Sequence, residues 1–435
     1  MQKNTVYITG HRNPDMDTLC SSLGYAALKN LIDPRNEYIP VRCSHLSDGP
    51  KRLLALLGTE GPIYMKNVYP KVSDVLITSG HQAEASDSLT QLAATYESFE
   101  TPAAPVFDHG KFYGLVTPDA IADWTMRALQ KGLDLNRAPT VGEVTDRHIP
   151  RMHTDDLFED AKKRLQNSAS RGIAVFDREG VYAGYVTRRC FLDTPRYNVI
   201  LVDHNEPEQS IKGIETANVC EIIDHHRLNA LKTDLPLFID AEPLGSTCTI
   251  VYQMYLRHGI RPDRETAKYL LAGILADTFI LRSPTTTRVD RDSADALSAI
   301  SGLDCEQFGK DMFNCIEGLK TRDPEEAISS DFKEYKENTM RIGIGQCEVT
   351  TLSDIGEYAA MYLEALESIR KRRSLDWAVL MITDVIKERS LLLSTDCPAA
   401  ASLPYKQTEV GLYEMPGVMS RKKQLLPEIL HCVNL

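Results

Sequence analysis

Three things are scarce in this chain, and each absence removes a class of function. No apolar stretch approaches the roughly 20 residues that cross a bilayer. The opening run Met1–Gly10 reads as a strand rather than a secretory leader, so neither membrane insertion nor export is expected. No two of the ten cysteines form a Cys-x-x-Cys pair, and Cys20, Cys220 and Cys248 sit among apolar neighbours. They read as reduced core thiols, which implies a cytoplasmic protein. Positive charge is in deficit, with 49 Lys and Arg against 61 Asp and Glu. No basic stripe is available to displace counterions, so nucleic acid is not an expected partner.

What the chain does have is length and a recurring polar motif. At 435 residues it exceeds one ordinary core, and two to four domains are expected. Four clusters of acid and histidine each close an apolar run: Gly10-His11-Arg12-Asn13-Pro14-Asp15-Met16-Asp17, Val202-Asp203-His204-Asn205, Ile223-Asp224-His225-His226 and Leu275-Ala276-Asp277-Thr278. The first three read as strand ends, the last as part of an apolar helix from Thr266 to Ile280.

The first 70 residues read as βαβα, which favours a parallel sheet with ligands at the carboxyl ends of its strands. From Val72 to Thr194 the chain repeats itself with a period of about 70 residues. Val72-Ser73-Asp74-Val75, Ala104–Asp108 and Tyr113–Thr117 recur as Val141-Gly142-Glu143-Val144, Ile173–Asp177 and Ala183–Thr187. Each copy reads strand, helix, strand, turn, strand, helix, and so forms an inserted module. Strand character resumes at Asn198–Val202. Residues 283–330 read as helices and charged turns linking to a last α/β domain, and serve as the expected hinge.

Two adjacent divalent cations need about six protein ligands and a bridging carboxylate. Asp15 and Asp17 alternate on a tight loop and can address two ions, with His11 reaching one. The bland alternative makes Asp17 a helix N-cap, but a cap does not explain matching strand ends elsewhere. Asp203 is the natural bridging group, and His225 completes a second ion. Asp277, inside an apolar helix, is costly unless paired with a cation. A His and carboxylate set without thiolate suits Mn²⁺, Co²⁺ or Mg²⁺. Arg421-Lys422-Lys423 supplies cations for an anionic substrate.

These residues resemble the family II inorganic pyrophosphatases of the DHH phosphoesterase superfamily, through the GHxNPDxD, VDHNE, IIDHHR, ADT and SRKKQ signatures outside the insert. The resemblance implies hydrolysis of pyrophosphate to two phosphates. It places His11, Asp15 and Asp203 on one metal, Asp17, Asp203 and His225 on the other, and Asp277 completing the pair. It puts His204 in support, with His226, Lys333, Arg421 and Lys422 on the substrate. Mn²⁺ or Co²⁺ is implied at the two tight sites, with Mg²⁺ arriving with substrate. Exopolyphosphatase on the same scaffold is the alternative. The nucleotide-cleaving relatives use a Gly-Gly-Gly-His run, and this chain has no Gly-Gly pair.

The insert is similar to a tandem pair of cystathionine-β-synthase-type (CBS) domains, which implies a homodimer regulated by AMP, ADP or ATP. Thr117, Arg171, Gly172 and Thr187 are the implied nucleotide contacts. The ribose-binding Asp of the usual signature is missing from both copies. The expected domains are 1–70 with 196–315 (DHH, parallel sheet), 71–195 (CBS pair, α+β) and 316–435 (substrate-binding, α/β).

Overall fold

Asn4–Thr9 (β1) is β-branched and increasingly buried toward its carboxyl end, and it leads through Gly10 into Met16–Ile32 (α1). Asp15, not Asp17, caps that helix, its carboxylate accepting the Thr18 N–H at 2.9 Å. The helix thus begins two residues before the expected start, and Asp17 lies in its first turn with its side chain turned inward, 1% exposed. Asn36–Arg42 (β2), Asp48–Leu57 (α2) and Ile63–Tyr64 (β3) follow. The structure, a computed structural model, describes residues 4–46, 48–78, 82–94, 103–132, 138–168, 172–228, 235–314, 319, 322–349, 352, 355–384, 387 and 389–434. Its chain divides into two compact units, residues 1–67 with 198–435, and residues 68–197.

The second unit contains Ala83–Glu84 (β4), Leu89–Ala94 (α3), Ala104–Asp108 (β5), Lys111–Val116 (β6), Pro118–Gln130 (α4) and Val141–Val144 (α5), then Arg151–His153 (β7), Phe158–Gln166 (α6), Gly172–Phe176 (β8) and Tyr182–Thr187 (β9). Each copy forms a three-stranded sheet, β4-β5-β6 or β7-β8-β9, with one parallel and one antiparallel pair. Val72–Val75 and Val141–Val144, expected as strands, are single helical turns. An acid three residues on closes each turn: Asp74 accepts the Lys71 N–H at 2.8 Å and Glu143 the Thr140 N–H at 2.7 Å. The two turns are exchanged. Val72 packs with Met152, Phe158 and Leu165 of the second copy, whereas Val141 and Val144 pack with Ala83, Val106 and Val116 of the first.

The chain then returns through Asn198–Val202 (β10), Asn218–Asp224 (β11) and Phe238–Ala241 (β12). These join the opening strands in one sheet ordered β12-β11-β10-β1-β2-β3, parallel throughout. The winding direction reverses between β10 and β1, which opens a crevice at their carboxyl ends. Thr247–Arg257 (α7), Arg264–Asp277 (α8), Arg288–Ser301 (α9) and Cys305–Asn314 (α10) share one core with α1, through Leu19, Val251, Leu270, Leu297 and Met312. Residues 288–314 therefore belong to a packed domain and not to a hinge; residues 315–318 and 320–321 of the expected hinge lie outside the described residues.

Helix α8 stops at Asp277, short of the expected Ile280. Phe279, Ile280 and Leu281 take φ of 49°, 56° and 62°, and Ile280 N–H returns to Leu275 C=O at 2.8 Å. Their apolar character reflects burial in a left-handed turn rather than helix continuation. Asp277 is consequently the last helical residue, with a side chain 30% exposed instead of enclosed.

Pro324–Ser330 (α11), Phe332–Glu337 (β13), Met340–Val349 (β14), Ile355–Arg372 (α12), Trp377–Asp384 (β15), Arg389–Ser394 (β16), Lys406–Glu409 (β17), Leu412–Pro416 (β18) and Leu426–Asn434 (α13) build the C-terminal part. Its sheet is ordered β13-β14-β15-β16-β18-β17, with only β14 and β15 parallel. Trp377, Val379 and Met381 face Leu425 and Ile429 on one side. Ala378, Leu380 and Ile382 face Tyr362 and Leu366 on the other. That period of two buries both faces.

Candidate metal centre

The crevice between β1 and β10 collects the polar clusters. Gly10 lets the chain turn tightly over α1, where a Cβ would stand 2.0 Å from Thr18 Cγ2. His11 Nε2 then lies 3.3 Å from Asp15 Oδ2 and 3.5 Å from Asp203 Oδ2. Asp203 follows β10 with φ of 60°, a left-handed conformation that a non-glycine residue adopts at a cost. Its two carboxylate oxygens are held apart in function: Oδ2 accepts from Thr18 Oγ1 at 2.6 Å, and Oδ1 from Thr247 Oγ1 at 3.1 Å. Oδ2 lies beside His11 and Oδ1 beside His225, each at 3.5 Å, the disposition a bridging carboxylate needs.

Asp17 is fixed from the opposite wall. Ser246 Oγ (2.6 Å), Thr247 N–H (2.6 Å) and Cys248 N–H (3.0 Å) all donate to it. Helix α8 approaches closely because Gly273 has no side chain; a Cβ there would meet Asp17 Oδ1 at 2.9 Å. His225 Nδ1 lies 3.1 Å from the Leu244 carbonyl, which aims Nε2 at Asp277 (3.2 Å) and Asp203 (3.5 Å). His226 Nδ1 lies 2.9 Å from Asp224, and His204 Nδ1 lies 2.9 Å from the Val202 carbonyl.

The electrostatics fit cations. Burial, and the carboxylates of Asp15, Asp17 and Asp277 around it, push Asp203 well above the usual carboxylate range. Burial pulls His204 down to about 4 and His226 down to about 3. Acids crowded against one another beside neutral imidazoles are an arrangement a divalent ion relieves. The buried Nε2 atoms of His204 and His225 have no hydrogen-bond partner among the described residues. Three groups could hold an ion: His11, Asp15 and Asp203; Asp17, His225 and Asp277; Asp203, His225 and His226. All six sequence-derived metal candidates are therefore brought together, with Asp203 shared.

The substrate candidates divide. Lys422 is solvent-exposed, and the surrounding protein and Lys333 lower its pKa against the pull of Asp277 and Asp203. Arg421 is 4% exposed and engaged with Asp331, 2.9 Å to the carboxylate and 2.8 Å to the backbone carbonyl. Residues 421–425 form a π-turn, a local widening of the helix common at functional sites. In the second unit, Gly172 and Thr187 are register partners on β8 and β9, and Thr117 Oγ1 caps α4 by accepting from Ala120 N–H. Arg171 lies outside the described residues. Sequence reasoning alone misses Thr18, Ser246 and Thr247. The small-residue run Gly245-Ser246-Thr247 ahead of α7 is the available signal for two of them.

The DHH family, N-terminal domain model matches residues 5–274, and the DHHA2 domain model matches residues 310–432. A probable manganese-dependent inorganic pyrophosphatase of Thermotoga maritima is 27% identical over 98% of this chain and 97% of its own length. A cobalt-dependent inorganic pyrophosphatase of Clostridium perfringens is 27% identical over 99% of both. A manganese-dependent inorganic pyrophosphatase of Methanothrix thermoacetophila is 36% identical over 54% of this chain and 78% of its own. The crystal structure of a putative family II inorganic pyrophosphatase from Methanococcus jannaschii shares the fold, with a TM-score of 0.59 and 22% identity over 99% of this chain and 100% of that one. The chain is a member of the DHH family. Within it, the chain belongs to the inorganic pyrophosphatases.

Proposed function

We propose that the protein hydrolyses inorganic pyrophosphate to two phosphates at this centre. The observation that carries the reading is the convergence of five other ligand side chains around the doubly anchored Asp203. His11, Asp15 and Asp203 would hold one divalent cation, and Asp17, Asp203, His225 and Asp277 the other. Mn²⁺ or Co²⁺ is the resident pair, with Mg²⁺ accompanying the substrate. Bound there, the two cations supply Lewis acidity that lowers the pKa of a shared water and neutralises phosphoryl oxygens.

The protein's own groups do the rest. Asp224 orients His226 so that its other nitrogen faces the crevice. Lys422 and Lys333 bring positive charge to the phosphoryl oxygens, where it stabilises charge that grows toward the transition state. Arg421, turned to Asp331, takes part after exchanging that partner for phosphate, or else holds the π-turn that presents Lys422. The region from residue 316 onward serves as the substrate-binding part.

We further propose that residues 71–195 are a CBS pair that binds AMP, ADP or ATP and regulates a homodimer. The internal duplication supports this, as does the pairing of Gly172 with Thr187. The test is phosphate release from pyrophosphate and from tripolyphosphate in Mn²⁺ or Co²⁺ plus Mg²⁺, with AMP titrated in. Fast pyrophosphate cleavage modulated by AMP is the expected result. Preference for tripolyphosphate would make the enzyme an exopolyphosphatase, and indifference to all three nucleotides would reduce the duplicated unit to an interface.

A further inference from the structure

Asp290 belongs to none of the ligand groups, yet it is wholly buried in the first turn of α9. Two of its hydrogen bonds are those of an ordinary helix cap: Thr287 N–H and Thr287 Oγ1 donate to Oδ2, each at 2.7 Å. Two further donors come from across the core. Gly245 N–H lies 2.9 Å from Oδ2 and 3.1 Å from Oδ1, and Thr249 Oγ1 donates to Oδ1 at 2.6 Å. A cap does not need these, and a buried carboxylate is expensive to keep unless its donors do something.

Gly245 and Thr249 bracket the strap that touches the metal centre. Within residues 244–249, the Leu244 carbonyl meets His225 Nδ1, while Ser246, Thr247 and Cys248 donate to Asp17. Asp290 thus holds both ends of a segment whose middle sets Asp17 and His225 and, through Thr247 Oγ1, touches one oxygen of the shared Asp203. The fit is tight, since a Cβ on Gly245 would stand 2.8 Å from Asp290 Oδ2. The other ligand loop is anchored elsewhere: Asp15 is held by the Thr18 N–H, and Arg12 by the Gln209 and Ser210 carbonyls.

We propose that Asp290 is a positioning residue that presets Asp17 and His225 through the 244–249 strap. It thereby governs chiefly the affinity of the ion assigned to Asp17 and His225; the strap reaches the ion assigned to His11 and Asp15 only through Thr247 on the shared Asp203, whose other oxygen Thr18 holds. This rests on the two-ion reading above. Supporting partners of metal ligands typically contribute ten- to hundred-fold in affinity.

The test is Mn²⁺ binding to the full-length enzyme by equilibrium dialysis and electron paramagnetic resonance, with turnover measured across Mn²⁺ concentrations. Asp290→Asn keeps the shape but leaves one neutral carbonyl oxygen to accept where two carboxylate oxygens did, so the strap's anchor weakens. One of the two Mn²⁺ affinities should fall about ten- to hundred-fold with the other reduced much less, and turnover should recover at high Mn²⁺. Thr287→Val, which touches only the helix side, should lower the melting temperature and leave both affinities alone.

Asp290→Asn should remove the remaining tight site in a His11→Ala background and add little in a His225→Ala background. Equal weakening of both ions, or of neither, in a folded Asp290→Asn protein overturns the proposal. Should that variant not fold, Thr249→Val must give the same uneven loss, or the proposal fails. Wild-type enzyme that takes up fewer than two Mn²⁺ would instead defeat the two-ion reading itself.

Discussion

The Thr18 hydroxyl donates to Asp203 Oδ2 at 2.6 Å across 185 positions of sequence. With Thr247 on the other oxygen, the carboxylate cannot rotate about its last bond without breaking one of the two contacts. Thr18→Val should therefore weaken Mn²⁺ binding about ten- to hundred-fold, with Thr18→Ser close to wild type. Mn²⁺ titration decides it, and equal affinity in the valine variant would show that the carboxylate needs no such hold.

Asp17 and Lys422 should separate metal loading from charge stabilisation. Asp17→Ala should lose bound Mn²⁺ and activity together. Lys422→Ala should retain metal and lose about 10²–10³ in kcat, the usual cost of removing one donor to developing charge. Metal content by atomic absorption beside steady-state rates checks both, and unchanged turnover in the two variants would remove the assignment.

Glu348 gives the metal-free enzyme a pH dependence of definite sign. Burial and the Asp331 carboxylate push it up to about 7, against Arg322 and Arg421. An acid with a raised folded-state pKa makes the native form bind the extra proton, so stability falls as pH rises from about 4.5 through 7. Glu348→Gln should remove up to about 3 kcal/mol of that loss at pH 8 and change little at pH 4. Urea unfolding of both proteins at the two pH values measures it, and parallel curves would contradict the prediction.

The exchanged turns of the inserted unit predict an effect at a distance in sequence. Val72 is fully buried against Met152 and Phe158, so Val72→Ala should cost about 2 kcal/mol. The lost amide protection should appear in β7–β9, the second copy, although the substitution lies at the head of the first. Hydrogen exchange resolved by segment reads this directly, and loss confined to β4–β6 would refute the exchange.

That His11, Asp15, Asp17, Asp203, His225 and Asp277 come together is legible in the sequence, the first five from an acid or imidazole following a strand and Asp277 from an acid closing an apolar helix. So is the duplication, because its two copies carry the same apolar runs. Phe279–Leu281 misleads because three apolar residues, one buried and two partly so, look alike in a helix and in a left-handed turn. Val72–Val75 misleads because a four-residue turn closed by Asp74 carries the letters of a strand. The Asp290 clamp is hidden because Thr287 and Asp290 alone account for a local cap, and the Gly245 donor comes from 45 positions away. Lys406–Glu409 is exposed at every residue, so no alternation betrays it as a strand.

Val6 faces Asn198 in the central strand pair of the parallel sheet, with the whole inserted unit between them in the chain. During synthesis the ribosome releases β1, β2 and β3 long before β10 exists, and the sheet must wait as three strands with the β1 edge unpaired. The insert, a compact unit over residues 68–197, can fold in that interval. Closing the sheet is then a late, long-range event of the kind that slows folding and leaves apolar edges open to aggregation. Chaperone demand in the cell should accordingly peak midway through translation, and ease once Asn198–Val202 has emerged.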